Sequence, residues 1–179
     1  MCSHKSQITL WTLNTDEKGK TGCILEDALV STGYITHMTV MEQTKSFVVA
    51  NTLKQLVHYD YRASDITGIR QLKRCHTDDI TGVSRDPSNV QQFVSSSKDR
   101  TVAMWDLRIP GANVKTLLYR SKELMFHSVH WCDAEENNGL VMAGASDGCV
   151  YSIDLRSPRE LVSKMKVANT PVLKIVFDG

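Results

Sequence analysis

Residues Phe93 to Arg108, FVSSSKDRTVAMWDLR, decide how this chain is read. Two short segments flank a polar turn. Phe93, Val94 and three serines make the first, Lys98-Asp99-Arg100 the turn, and Thr101 to Leu107 the second. Thr101, Val102 and Trp105 prefer extended backbone, so the two segments read as an antiparallel hairpin closed by Trp105-Asp106.

Sliding the sequence against itself sets three further pairs on Trp105-Asp106: Trp11-Thr12, Tyr59-Asp60 and Ile153-Asp154. The steps are 48 residues (11 to 59), 46 (59 to 105) and 48 (105 to 153). SQITLWTL, QLVHYDYR, TVAMWDLR and CVYSIDLR place β-forming residues before each anchor, while FVVAN (47–51), QFVSSS (92–97) and GLVMAGAS (139–146) fall in register upstream. A small-residue strand, a turn Asp and a closing Trp-Asp recurring at this period resemble the WD-repeat family of β-propellers. The resemblance implies an all-β fold of four-stranded blades.

Read in order, Gln7–Leu13 is a third strand and 23–30 an outer one. Three four-stranded units follow: 34–41, 47–51, 55–61 and 67–72; 80–83, 92–97, 101–107 and 114–119; 128–131, 140–145, 149–155 and 161–167. The segment 172–177 reads as a first strand without partners. Residues 1–179 are thus one partial propeller, with three complete blades and two part-blades. Rings need about four to eight blades, so the expectation is a piece of a larger propeller, with closure by two copies as the alternative. Pro87, Pro110, Pro158 and Pro171 all fall in connections, where they remove no ladder bond.

Composition excludes several classes. Twenty-one basic against twenty acidic side chains leave no excess for phosphate binding. There is no apolar run long enough to span a bilayer and no signal segment. Five scattered cysteines without a C-x-x-C fit reduced thiols and a cytoplasmic or nuclear location.

In the WD-repeat family a hydrogen-bonded tetrad occupies the positions held here by His76, Ser95, Asp99 and Trp105. A buried turn carboxylate needs donors, and a His, a hydroxyl and an indole supply them. The same Ser, His and Asp would suit a hydrolase triad, but no nucleophile elbow frames them and the Trp has a role only in the tetrad. Leu53 stands at the turn-Asp position of one unit, and Ile153 replaces the Trp of another, which keeps Asp147. His127, His130 and Cys132 have ligand-like spacing but no fourth partner, so no metal is expected. Arg62, Arg108 and Arg156 end Asp-x-Arg triplets. By resemblance this ending matches the box in substrate receptors of cullin-4 ubiquitin ligases, and an exposed Arg there would make a bidentate interface contact. Without a partner, each would pair with a neighbouring acid. Lys98 and Arg100, in the central turn, are further interface candidates.

These features imply a non-enzymatic scaffold that binds other proteins or peptides within a complex. No cofactor, nucleic acid, membrane or small-molecule substrate is implied. The run from His76 through WDLRIP, the HSVHW unit and the Ile-Asp ending are also similar to the WD-repeat subunits of methylosomes. That similarity implies presentation of substrates to an arginine methyltransferase, and the cullin-4 adaptor is the alternative partner.

Overall fold

The computed structural model describes residues 5–15, 21–61, 67–72, 76–109, 115–132, 139–156 and 161–176. β1 (Lys5–Thr15) and β2 (Thr21–Thr32) form a two-stranded antiparallel sheet. Three four-stranded antiparallel sheets follow, each ordered from inner to outer strand. The first blade is β3 (Ile35–Met41), β4 (Ser46–Asn51), β5 (Leu56–Asp60) and β6 (Thr67–Leu72). β7 (Ile80–Arg85), β8 (Gln92–Ser97), β9 (Thr101–Asp106) and β10 (Lys115–Arg120) make the second. The third holds β11 (Phe126–Trp131), β12 (Leu140–Ala145), β13 (Cys149–Asp154) and β14 (Leu161–Lys166). No helix among the described residues is long and apolar enough to cross a membrane.

The blades pack face to face, because each sheet is apolar on both faces and dries only against a neighbour. Between the first and second blades, Met41, Val48, Ala50 and Leu56 meet Ile80, Phe93, Ala103 and Trp105. Between the second and third, Val94 and Val102 meet Phe126, Val129, Val141, Tyr151 and Ile153. Phe93 stacks on Trp105 with ring centroids 5.9 Å apart, which seats the indole in the first junction. The remaining face of the first blade carries Phe47 and Tyr59, stacked at 5.3 Å, with Val49 beside them.

A register irregularity recurs at one place in every blade. It lies between Ile35 and His37, between Ile80 and Gly82, and between Phe126 and Ser128. Thr36, Thr81 and His127 are therefore the extra residues of three equivalent bulges, which twist each inner strand and re-aim one side chain.

The expected strands form with shifted ends. Gln7–Leu13 and 23–30 extend into the long β1 and β2. The inner strands of the last two blades reach further than 80–83 and 128–131: β7 pairs on through Arg85 with Phe93, and β11 begins at Phe126, ahead of its bulge. The outer strand expected over 114–119 is β10 (Lys115–Arg120). The expectation of a first strand over 172–177 is corrected: residues 171–176 form no ladder, and Phe177 lies outside the described residues. The segment bonds Ala145 O through Val172 N–H at 3.2 Å without building a ladder. It instead takes the next inner position along the junction. Ser128 Oγ donates to Val172 O at 2.8 Å, as Thr81 Oγ1 donates to Phe126 O at 2.7 Å one blade earlier.

Gly148 ends the β12–β13 turn at φ +75°, where a Cβ would lie 2.0 Å from Ala168 O. Replacing it adds a left-handed side chain and a backbone clash together. Gly148→Ala is expected to cost roughly 2 kcal/mol or more, read as a lowered urea-unfolding midpoint.

Candidate functional site

The turn after β8 holds one connected chain of polar groups. Trp105 Nε1–H donates to Ser95 Oγ at 2.8 Å, and that oxygen lies 2.7 Å from His76 Nε2. His76 Nδ1 lies 3.0 Å from Asp99 Oδ2 and 3.1 Å from Thr101 Oγ1. The Thr101 hydroxyl donates to Asp99 Oδ1, so both neighbours of Nδ1 present oxygen acceptors and Nδ1 carries the proton. The serine hydrogen is then left for Nε2. Backbone N–H groups of Thr77 and Thr101 complete the carboxylate shell at 3.0 Å each. Burial alone would raise the Asp99 carboxyl, but the bonds from His76, Thr101 and Thr77 overrule it and hold the group well below its ordinary 3.8.

Ser95, His76 and Asp99 thus stand in the linear order of a hydrolytic triad, yet the arrangement is closed. Ser95 is fully buried, its oxygen receives the indole N–H, and the His76 side chain has no exposure. A nucleophile must reach a carbonyl carbon, and this one is enclosed. The network locks the turn to the core.

In the third blade Asp147 is held differently. Cys149 N–H donates to Oδ1 at 3.1 Å, Tyr151 Oη–H to Oδ2 at 2.7 Å, and Lys164 Nζ lies 3.1 Å from Oδ2. Burial pushes this carboxyl up, and those three donors bring it down to about 2. Tyr151 and Lys164 replace the His, Ser and Trp of the second blade. In the first blade, Asn51 Oδ1 caps the turn instead, accepting from Leu53 N–H at 3.0 Å and Gln55 N–H at 3.1 Å. Only the Asp at 147 was visible as a repeat position in the sequence. Its new partners lie four residues on and on the next strand.

The interface candidates are engaged within the chain. Arg108 chelates Asp106 through Nε and Nη2, and Arg156 chelates Asp154 in the same way, with Nε–Oδ1 distances of 2.9 and 3.0 Å. The Arg108 pair and Gln92 Nε2 hold the Asp106 carboxyl well below its ordinary range. Arg62 lies outside the described residues. Lys98 Nζ pairs with Asp79 Oδ2 at 3.0 Å, and Arg100 Nη1 donates to Lys122 O at 2.6 Å. Among the described residues, no three or more His, Cys, Asp or Glu side chains gather into a metal-ligand set.

A pocket of about 330 Å³ opens where the inner strands begin. Its wall includes Thr36, Thr81 and His127, the extra residue of each bulge, together with His37, Asp79 and Lys98. Asn51 and Thr52 of a turn and Leu173 of the last segment complete the rim. Burial lowers His37, and burial with the Lys98 charge lowers His127, so both rings are held toward the neutral form. The arrangement offers hydroxyls, neutral imidazoles, one amide and one ion pair around a concave floor. It suits a partner's polar side chain. Thr36 and Thr81 were not singled out in the sequence, although with His127 they are spaced at nearly the repeat length.

No family model matches the chain. Curated proteins do. It is 32% identical over 107 residues to Protein valois of Drosophila melanogaster, a match covering 58% of this chain and 29% of that protein. It is 29% identical over 97 residues to WD-40 repeat-containing protein MSI4 of Arabidopsis thaliana, covering 54% of this chain and 18% of the relative. Against the guanine nucleotide-binding protein subunit beta of Zea mays, identity is 36% over 86 residues, 48% of this chain and 21% of that protein. Over these stretches the chain is similar to WD-repeat proteins, and its three four-stranded antiparallel sheets are consistent with the blades of such propellers. The matched stretches span less than a third of each of these relatives. The 76–105 network closes the turn of one blade, and the Asp147 cluster closes the equivalent turn of the next.

Ser95→Ala removes the oxygen that pairs the buried indole and imidazole. It is expected to cost about 1–3 kcal/mol, with Trp105→Phe rescuing part of the loss in a double-mutant cycle. Asp99 contributes stability above its unfolded value, and that contribution is lost as pH falls through 3.8 toward the folded value. Asp99→Asn is therefore expected to be less stable at neutral pH but to lose stability less steeply below pH about 4. Chemical unfolding at stepped pH checks both signs, with residual slope left by Asp106 and Asp147.

Proposed function

We propose that this chain is a non-enzymatic WD-repeat scaffold that holds a protein segment on the face where the inner strands begin. The observation that carries this reading is the pocket to which each of three blades contributes its bulged residue, Thr36, Thr81 and His127. Rigid sheets fix the wall, and the turns between second and third strands supply the variable rim, which is how scaffolds present binding groups. Leu53, Met125 and Leu173 add exposed apolar side chains among the turns and loops that border it. Enclosure of Ser95 argues against hydrolysis.

Within that reading, the similarity of the 76–110 run and the HSVHW unit to methylosome WD-repeat subunits favours a complex in which substrates are presented to an arginine methyltransferase. The alternative, a substrate receptor of a cullin-4 ubiquitin ligase, depends on Arg108 and Arg156. Each already commits its Nε–Nη2 edge to its own carboxylate, which leaves the Nη1–Nη2 edge as the one that would meet a partner.

Affinity purification of the tagged chain from cell extract, followed by mass spectrometry, separates the two. An arginine methyltransferase that is recovered, and lost with His127→Glu or Lys98→Glu but kept with Arg108→Ala, supports the proposal. Recovery of the cullin-4 adaptor, lost with Arg108→Ala, replaces it with the alternative. Recovery that is indifferent to all three substitutions removes both.

A further inference from the structure

The three turns joining second to third strands share one backbone. In Asn51–Lys54, Ser97–Arg100 and Ala145–Gly148, the fourth N–H bonds to the first carbonyl at 3.1, 3.2 and 3.1 Å. The fourth residue is left-handed in each, with φ of 61°, 69° and 75°. Glycine fills this place in the third turn, as the steric rule prefers. Lysine and arginine fill it in the first two. A long side chain kept at a position that disfavours any side chain points to a role for that chain.

Both cations reach across a blade junction to the loop that leads into the next inner strand. Lys54 Nζ donates to Thr77 O at 3.1 Å and lies 3.3 Å from Asp78 Oδ1. Arg100 Nη1 donates to Lys122 O at 2.6 Å. Donors 46 residues apart (54, 100) meet acceptors 45 residues apart (77, 122), so one contact is repeated in register at successive junctions. Beyond these straps, the second loop is also tied across the junction by Ser121 N–H to Arg100 O at 2.9 Å, and the other bonds of both loops come from their own blades. Thr77 N–H bonds Asp99, Glu123 and Leu124 N–H bond Ser121 Oγ, and Met125 N–H bonds Ser146 Oγ. At the third turn, Val167 and Ala168 N–H likewise donate to Gly148 O at 3.0 Å, but there Ala168 O leaves no room for a side chain.

We infer that Lys54 and Arg100 are positioning residues of the binding face: each straps the lead-in loop of the next blade by a backbone carbonyl and so sets the rim of the pocket. The inference deepens the scaffold reading, because the first of these loops ends at Asp79, which lines the pocket and pairs with Lys98. It also reassigns Arg100 from partner contact to support of the surface that makes the contact.

Hydrogen exchange of the chain without any partner tests this apart from binding. Lys54→Met and Arg100→Met keep a long left-handed residue but remove the donor. Lys54→Met is expected to speed exchange roughly fivefold or more at Thr77 and its neighbours while leaving 123–125 unchanged. Arg100→Met is expected to do the reverse, and Lys54→Arg to retain protection. Unchanged loops, or equal acceleration in both loops and in β4 and β8, would overturn the inference. Failure of the scaffold reading would appear only in the affinity experiment and would leave the exchange pattern intact.

Discussion

A four-stranded sheet with apolar residues on both faces is stable only between two neighbours, and everything else in this chain answers to that constraint. Phe93, Val94, Val102 and Trp105 are buried, yet they point to different blades: Phe93 and Trp105 into one junction, Val94 and Val102 into the next. No blade owns a complete core. Stability accumulates at junctions, as in other repeat architectures. Close approach follows from it. A Cβ on Gly82 would lie 3.0 Å from Val129 N of the next inner strand, so a bare backbone is what lets β7 and β11 meet.

Polar groups drawn into such junctions must be satisfied, and the blades do this with different residues. The second uses an indole–hydroxyl–imidazole–carboxylate chain, the third a tyrosine and a lysine around Asp147, and the first an asparagine cap. The turn backbone is the same in all three. What the fold demands is an acceptor that closes the turn and donors that keep its charge satisfied. The residue types delivering them are free to drift. The Asp-x-Arg endings follow similar logic at the opposite end of the strand, where Asp106 and Asp154 each hold an arginine two residues on. Arg70 of the first blade adds a bond to Ile109 O at 2.9 Å, tying that ending across the junction.

Sequence and structure meet in the repeat. Anchors at Trp105 and Tyr59 lie where a period of 46 sets them, in equivalent third strands, because alternation and β-propensity are local properties that a single chain displays. The serine–histidine–aspartate–tryptophan positions were legible only through the resemblance to WD repeats, whose tetrad they match. The bulges were not. Thr36 and Thr81 look like ordinary strand residues, and only the pairing of β3 with β4 and β7 with β8 turns them toward the pocket. Nor were Tyr151 and Lys164 legible as partners of Asp147, because their meeting depends on β13 pairing with β14.

The amino-acid sequence by itself determined the fold class, the repeat length, the strand order within each blade and the position of one polar lock. Local periodicity and spacing along the chain set the repeat and its strands, and the resemblance to WD repeats supplied the blade and the lock. Tertiary structure decided which side chains face the pocket, which charges are already paired and which turn residues reach the next blade. Those outcomes depend on register shifts and on contacts between residues more than twenty positions apart, such as Lys54 with Thr77 and Arg100 with Lys122. A chain read along its length carries no direct record of them, because they exist only once neighbouring sheets have packed.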